Sequence, residues 1–219
     1  MPEIIFNGPC GRLEGRYKHS TQPGAPVALI LHPNPEQGGT MNNRMTFSLF
    51  QTFAARGFST LRFNFRGVGR SQGEFGQGEG ELCDAAAALD WLQKINPNTS
   101  GVWVGGFSFG AWIGMQLLMR RPEIEGYVSI APPTTEYDFN FLAPCPNTGL
   151  IVHAEKDEAV TQESMDKLIE KLREQRGPTG VDYRVIQNSG HFFKDDLDTV
   201  LAHVDDHLKI ALSAQEIAA

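Results

Sequence analysis

The chain has 219 residues, 41% of them hydrophobic and 21% charged, with a formal net charge of −7. That size and balance suit one soluble domain with a sizeable core, expected here to span residues 1–219. The acidic balance argues against nucleic acid or an anionic membrane as the main partner. Three cysteines, Cys10, Cys83 and Cys145, with no Cys-x-x-Cys spacing, give neither a disulfide framework nor a thiolate zinc site. Free thiols, no basic leader before a long apolar stretch and no run of ~18 apolar residues make a cytoplasmic protein the expectation.

The first stretch, "EIIFNGPCGRLEGRY", reads as two short strands joined through Asn7-Gly8, with Pro9 lengthening the loop. "PVALILH" (26–32) is a continuous apolar run, the mark of a strand buried on both faces. Met45, Leu49, Phe50 and Phe53 then recur at helical spacing, and Gly57 closes that helix. A strand at 58–65 follows, then a helix through Leu82, Ala86, Leu89 and Leu92 that ends at Asn96-Pro97. Further strands are expected at 101–106, 126–132, 149–154 and 181–187. A helix is expected at 109–121, a second through Met165, Leu168, Ile169 and Leu172 that stops near Gly177, and a last through Leu197, Val200, Leu201, Val204 and Leu208. Such alternation predicts an α/β fold: a mostly parallel twisted sheet, helices on both faces, and an antiparallel hairpin at the start. Ligands of such sheets bind beyond the carboxyl ends of the strands, so the loops directly after strands are where chemistry is expected.

Four of those loops carry candidates. After the strand at 101–106 comes Gly106-Phe107-Ser108-Phe109-Gly110, a Gly-x-Ser-x-Gly elbow in a strand-turn-helix setting. Small residues two before and two after the serine permit the sharp turn, and the helix start favours developing negative charge. The plain alternative is an N-cap serine, but a capping box would place Glu or Gln at position 111, where Ala111 stands. A serine hydroxyl needs a base. Of six histidines, His191 follows the last strand and shares the serine's sheet edge. His32 ends a strand, but it precedes the serine and sits beside prolines. His153 falls within a strand, where a core role is expected. His203 and His207, four apart on the last helix, are expected to form a partly solvated face, and His19 lies in an early loop.

The loop after 149–154 reads "EKDEAV". Asp157 is best placed there to orient His191; Glu155 and then Glu158 are the alternatives. The loop after the first buried strand, "HPNPEQGGTMNN", is stiffened by Pro33 and Pro35, which have no N–H. Acyl transfer needs two fixed donors for the oxyanion. The Phe109 amide, just after the serine, is one, and Asn34, between the prolines, is the expected second. Gly67-x-Gly69 lacks a third glycine in register for a dinucleotide loop. Arg66 and Arg70 beside it are left between loop salt bridges and contact with an acidic substrate.

On "LHPNPEQGGTMNN", "TLRFNFRGVGRSQGEF", "GFSFGAW" and "SGHFF", the chain resembles, over nearly its full length, small bacterial α/β-hydrolases related to dienelactone hydrolases and acyl peptidases. The resemblance implies a Ser108–Asp157–His191 triad with Asn34 and Phe109 as oxyanion donors, acting without metal or cofactor. It has Ala154-Glu155 where related chains often show Gly-Asp before the acid, which keeps Glu155 open as the alternative. Only residues 133–148 separate two strands where many such folds insert a lid, so an open site for small or short-acyl esters is expected. Met41, Phe107, Phe139, Phe141 and Phe192 are candidates for a shallow apolar pocket, with core packing expected for most. A peptidase or amidase with the same triad, and a non-catalytic binding protein on this fold, are the competing readings.

Overall fold

The structure is a computed structural model that describes residues 3–142, 145, 147–176 and 180–218. Its strands are β1 (Glu3–Gly8), β2 (Gly11–Lys18), β3 (Val27–Leu31), β4 (Ser59–Phe63), β5 (Val102–Phe107), β6 (Ile124–Ile130), β7 (Gly149–Ala154) and β8 (Asp182–Ile186). The helices are α1 (Arg44–Ala55), α2 (Glu79–Ile95), α3 (Phe109–Leu118), α4 (Gln162–Arg176) and α5 (Leu197–Ala218). The strands form one sheet in the order β1-β2-β4-β3-β5-β6-β7-β8. β1 and β2 pair antiparallel, as do β2 and β4; every other pairing is parallel. The expected α/β sheet with its leading hairpin is therefore the observed one.

Both faces of the sheet are covered, which is why its central strands read as unbroken apolar runs. Every residue of β3, β4, β5 and β7 is buried. Met45, Leu49, Phe50 and Phe53 of α1 pack with Val200, Val204 and Leu208 of α5 on one face. Leu82 and Leu89 of α2, Ile113 and Leu117 of α3, and Met165 and Leu168 of α4 fill the other. Gly57 closes α1 as expected, one residue past the Arg56 cap, at φ 90°.

Three local expectations are corrected. The β1–β2 turn is not at Asn7-Gly8: Asn7 pairs with Arg12 and Gly8 with Gly11, leaving Pro9-Cys10 as the turn. Proline's fixed φ suits the first turn position, so Pro9 tightens the connection and does not lengthen it. α3 ends at Leu118 and not at Arg121. The strand expected at 126–132 runs 124–130, because Ala131 turns to a φ of 45°. The α4 stop near Gly177 lies outside the described residues.

The strand order positions the site. β3 pairs with β4 on one side and β5 on the other. The chain thus winds outward in opposite directions from β3, and the carboxyl edge at the loops after β3 and β5 is the switch point at which such sheets bind ligands. Pro33–Asn34 and Ser108 lie on those two loops.

Candidate active site

Ser108 sits at the tip of the β5–α3 turn with φ 53° and ψ −121°, a backbone state that non-glycine residues hold only when the surroundings impose it. A Cβ on Gly106 would meet the Gly110 carbonyl oxygen at 2.4 Å, and one on Gly110 would meet the carbonyl oxygens of Leu31 and His32 at 2.5 and 2.6 Å. The two glycines therefore let the turn close on itself and let the loop after β3 press against the start of α3. Ser108 occupies the helix-cap position, yet its side chain caps no backbone amide. The simple N-cap reading fails for that reason.

The Ser108 hydroxyl meets His191 instead. Ser108 Oγ lies 3.1 Å from His191 Nε2, and His191 Nδ1 lies 2.8 Å from Asp157 Oδ2. A carboxylate only accepts, so Nδ1 carries the proton and Nε2 is free to accept from the serine. The remaining Asp157 oxygen accepts from the Ala159 and Val160 amides, both at 2.9 Å. Burial works to raise the Asp157 pKa, but the His191 bond and these two amides outweigh it and hold the carboxyl below its ordinary range. The Asp157 side chain is shielded from solvent, and His191 is buried between the Phe107 and Phe192 rings, at 5.5 and 5.2 Å. A hydroxyl, an imidazole and a buried carboxylate in this chain of bonds can move a proton off the serine as it attacks.

The competing acids are occupied elsewhere. Glu155 Oε2 accepts from the Asn188 amide at 2.7 Å, and Glu158 takes the His191 backbone amide at 3.4 Å. Both brace the loop that carries His191; neither reaches its ring.

The loop after β3 is held from several sides. His32 is fully buried; its Nδ1 donates to the Pro33 carbonyl at 2.7 Å and its Nε2 accepts from the Phe65 amide at 3.0 Å. Burial lowers the His32 pKa to about 4, against the pull of the Pro33 bond, so the ring is neutral and acts as a strut between the loops after β3 and β4. Farther along, the Met41 amide donates to Asn64 Oδ1, and Arg62 donates to the Met41 carbonyl. Asn34 caps the short turn Pro35–Gln37 through a 2.9 Å bond from the Glu36 amide to its Oδ1. Its Nδ2 points to the Tyr137 hydroxyl at 3.5 Å. Among the described residues, neither the Asn34 nor the Phe109 amide donates to a protein acceptor. Tyr137 stacks on Trp112 at 4.2 Å, and burial with the nearby Glu136 charge pushes its phenol up to about 12.

The remaining candidates resolve into structure. Arg66 is buried and pairs with Asp84 through Nε and Nη2, at 2.9 and 2.7 Å. Arg70 pairs with Glu3. Both belong to loop architecture. His153 lies in the core of β7, with neither ring nitrogen hydrogen-bonded among the described residues. His207 is not simply solvated: its Nδ1 donates to Asp182 at 3.0 Å, while His203 meets Arg184 at 2.8 Å. Met41, Phe107 and Phe139 are buried, and Phe192 is 57% exposed. The pairing of Arg66 with Asp84 and the bracing by His32 had no local sequence signal. No helix among the described residues is long and apolar enough to cross a membrane.

Comparison with known proteins bears on the fold and the family. The chain is 47% identical over 211 residues to the uncharacterized protein RP471 of Rickettsia prowazekii, covering 95% of this chain and 89% of that one. It superposes with a TM-score of 0.94 on a protein of unknown function from Agrobacterium tumefaciens, described as a candidate alpha/beta hydrolase, at 54% identity and 97% coverage of both chains. A serine hydrolase without a lid from Xanthomonas campestris matches at TM-score 0.84 and 26% identity, over 95% of this chain and 93% of that one. The sequence pattern of the X-Pro dipeptidyl-peptidase (S15) family spans residues 13–214. The chain is thus an α/β-hydrolase and belongs to the family that this pattern describes, X-Pro dipeptidyl-peptidase (S15 family).

Proposed function

We propose that the protein is a serine hydrolase that cleaves small or short-acyl carboxylic esters through an acyl-serine intermediate. The observation that carries this reading is the continuous bond chain from Ser108 Oγ through His191 to Asp157. In the first half-reaction Ser108 Oγ forms a bond to the ester carbonyl carbon while its proton passes to His191 Nε2. The Asn34 and Phe109 amides receive the oxyanion. As the carbonyl reforms, the carbon–alkoxy bond breaks and His191 gives its proton to the departing alcohol. In the second half-reaction water replaces the alcohol: His191 takes its proton, hydroxide adds to the acyl carbon, and Ser108 leaves as the proton returns to Oγ. Asp157 stays ionised throughout and stabilises the imidazolium. None of these steps calls on a metal or cofactor. The partner so defined is a small-molecule ester, in keeping with a cytoplasmic protein.

The short stretch between β6 and β7 supports an open site, which suits small esters better than long acyl chains. The S15 family description favours a second reading, a peptidase or amidase with the same triad. One assay separates the two. Purified protein and Ser108→Ala are given p-nitrophenyl esters of graded chain length beside p-nitroanilides of short peptides. Cleavage of acetate or butyrate that Ser108→Ala loses supports the esterase. Turnover of the anilides with the esters inert supports the peptidase. A folded protein that acts on neither, and whose Ser108 resists a fluorophosphonate, would instead be a binding protein.

A further inference from the structure

Beside His191 lies a cavity of about 270 Å³ that the proton chain does not use. Its interior is apolar, built from Met45, Phe107, Phe193 and Leu197, all buried, with exposed Phe192 as one wall. Phe107 and Phe192 are also the rings that pack on His191. The cavity and the imidazole thus share their walls.

Its rim is charged with one sign. Arg44, the first residue of α1, and Lys194 line it, and no acidic residue does. Arg44 Nη1 donates to the Lys194 carbonyl at 2.9 Å, which ties α1 to the loop after β8. Neither cation pairs with a carboxylate among the described residues. The acids of this region, Glu158, Asp195 and Asp196, line a neighbouring cavity of about 200 Å³ that shares Phe192, Phe193 and Lys194 with it. The cavity thus joins an apolar interior to a mouth whose own lining holds two cations, Arg44 and Lys194, and no acid.

The chemistry says which part of an ester belongs there. His191 gives its proton to the departing alcohol oxygen, so that oxygen must come within hydrogen-bond reach of Nε2. The group it carries then starts at the imidazole, and the apolar space walled by the same rings is next to it. We infer, on the strength of the acyl-serine reading above, that this cavity seats the alcohol part of the substrate and selects an aromatic alcohol bearing a carboxylate for Arg44 and Lys194. Apolar contact supplies affinity for the ring, and the cations supply preference for the charge.

The test uses three acetates whose alcohols are similar leaving groups: ethyl acetate, benzyl acetate and 4-(acetoxymethyl)benzoate. The expected kcat/KM is at least about tenfold higher for benzyl than for ethyl. The carboxylate adds a further severalfold that fades with salt. Phe192→Ala should lower the benzyl-to-ethyl ratio, and Arg44→Gln the carboxylate-to-benzyl ratio. Both side chains are exposed, so both variants should fold, which circular dichroism checks. A benzyl-to-ethyl ratio near one, or one that Phe192→Ala leaves alone, overturns the pocket assignment. A carboxylate gain that survives Arg44→Gln overturns the role of the cation. If fluorophosphonate labels Ser108 while the ratios are flat, this inference alone falls; if no ester is cleaved and Ser108 is unlabelled, the parent reading falls with it.

Discussion

Two buried aspartates stand at the same edge of the sheet and face opposite fates. The Asp84 and Asp157 side chains are both fully shielded, and in both every oxygen accepts a hydrogen bond. Asp84 takes the Arg66 amide and guanidinium. That cation keeps its proton at any ordinary pH, and the Asp84 bonds raise its pKa further. Beyond Asp84, Arg66 donates among the described residues only to Cys10 Sγ, at 3.2 Å, and the network fixes the loop after β4 to the β1–β2 turn. Asp157 instead takes an imidazole, whose far nitrogen reaches a serine hydroxyl. Its network stays open at one end. Burial and a charged partner alone do not mark chemistry; a partner that can change its protonation, with a reactive group beyond it, does.

Breaking the two networks should sharpen that contrast. Asp157→Asn leaves the His191 ring supported by a neutral group that favours the wrong tautomer. The kcat measured on p-nitrophenyl butyrate should fall by about 10⁴-fold with little change in melting temperature. Asp84→Ala should do the reverse. It leaves the buried Arg66 charge unpaired, which typically costs about 3–5 kcal/mol of stability. Urea unfolding should show that loss, while kcat per folded molecule stays within about tenfold of wild type. If Asp84→Ala abolishes turnover in the folded protein, the distinction drawn here is wrong.

The amide assigned to the oxyanion gives a smaller effect. Asn34 has φ −52°, close to the angle proline imposes. Asn34→Pro therefore removes the N–H with little backbone strain and should lower kcat by about 10²–10³-fold. Asn34→Ala keeps the N–H and should cost far less. Equal losses in the two variants would point to the side chain and its contact with Tyr137.

The smallest effect concerns His32, and its sign follows from linkage. Its folded pKa, about 4, lies below the ordinary 6.5. The unfolded chain therefore binds the proton first as pH falls. The stability that neutral His32 contributes is whole above pH 6.5 and is lost as pH drops toward 4. At most this amounts to about 3 kcal/mol. Denaturant unfolding at pH 7, 5.5 and 4.5 should show His32→Gln flattening that part of the stability profile. An unchanged profile would remove His32 as a neutral strut.

What was legible in the sequence was what short-range rules encode. Glycines two before and two after Ser108, a histidine after the last strand and an acid just past β7 all sit where the strand-edge rule places them. Asp157 could be preferred over Glu155 because β7 ends at Ala154 and the carboxylate must clear the strand to reach a neighbouring loop. Less legible were pairings between residues far apart in the chain. Nothing local joins Arg66 to Asp84, or His32 to the Phe65 amide, or Arg44 to the Lys194 carbonyl. Those bonds exist because parallel crossovers return distant loops to one edge, and their partners are set by the fold. The Asn7-Gly8 turn failed for a different reason: two local turn signals overlapped, and proline at position 9 outweighed the Asn-Gly step.

The central claim is that Ser108 forms a covalent acyl intermediate, and trapping it is the most direct test. Protein rapidly quenched in acid during turnover of p-nitrophenyl butyrate would be digested and its peptides weighed. A butyryl group is expected on the peptide at Ser108, more persistent in a His191 variant that is first acylated slowly, and absent from Ser108→Ala. Full turnover by Ser108→Ala, with no acyl group on any wild-type peptide, would contradict it.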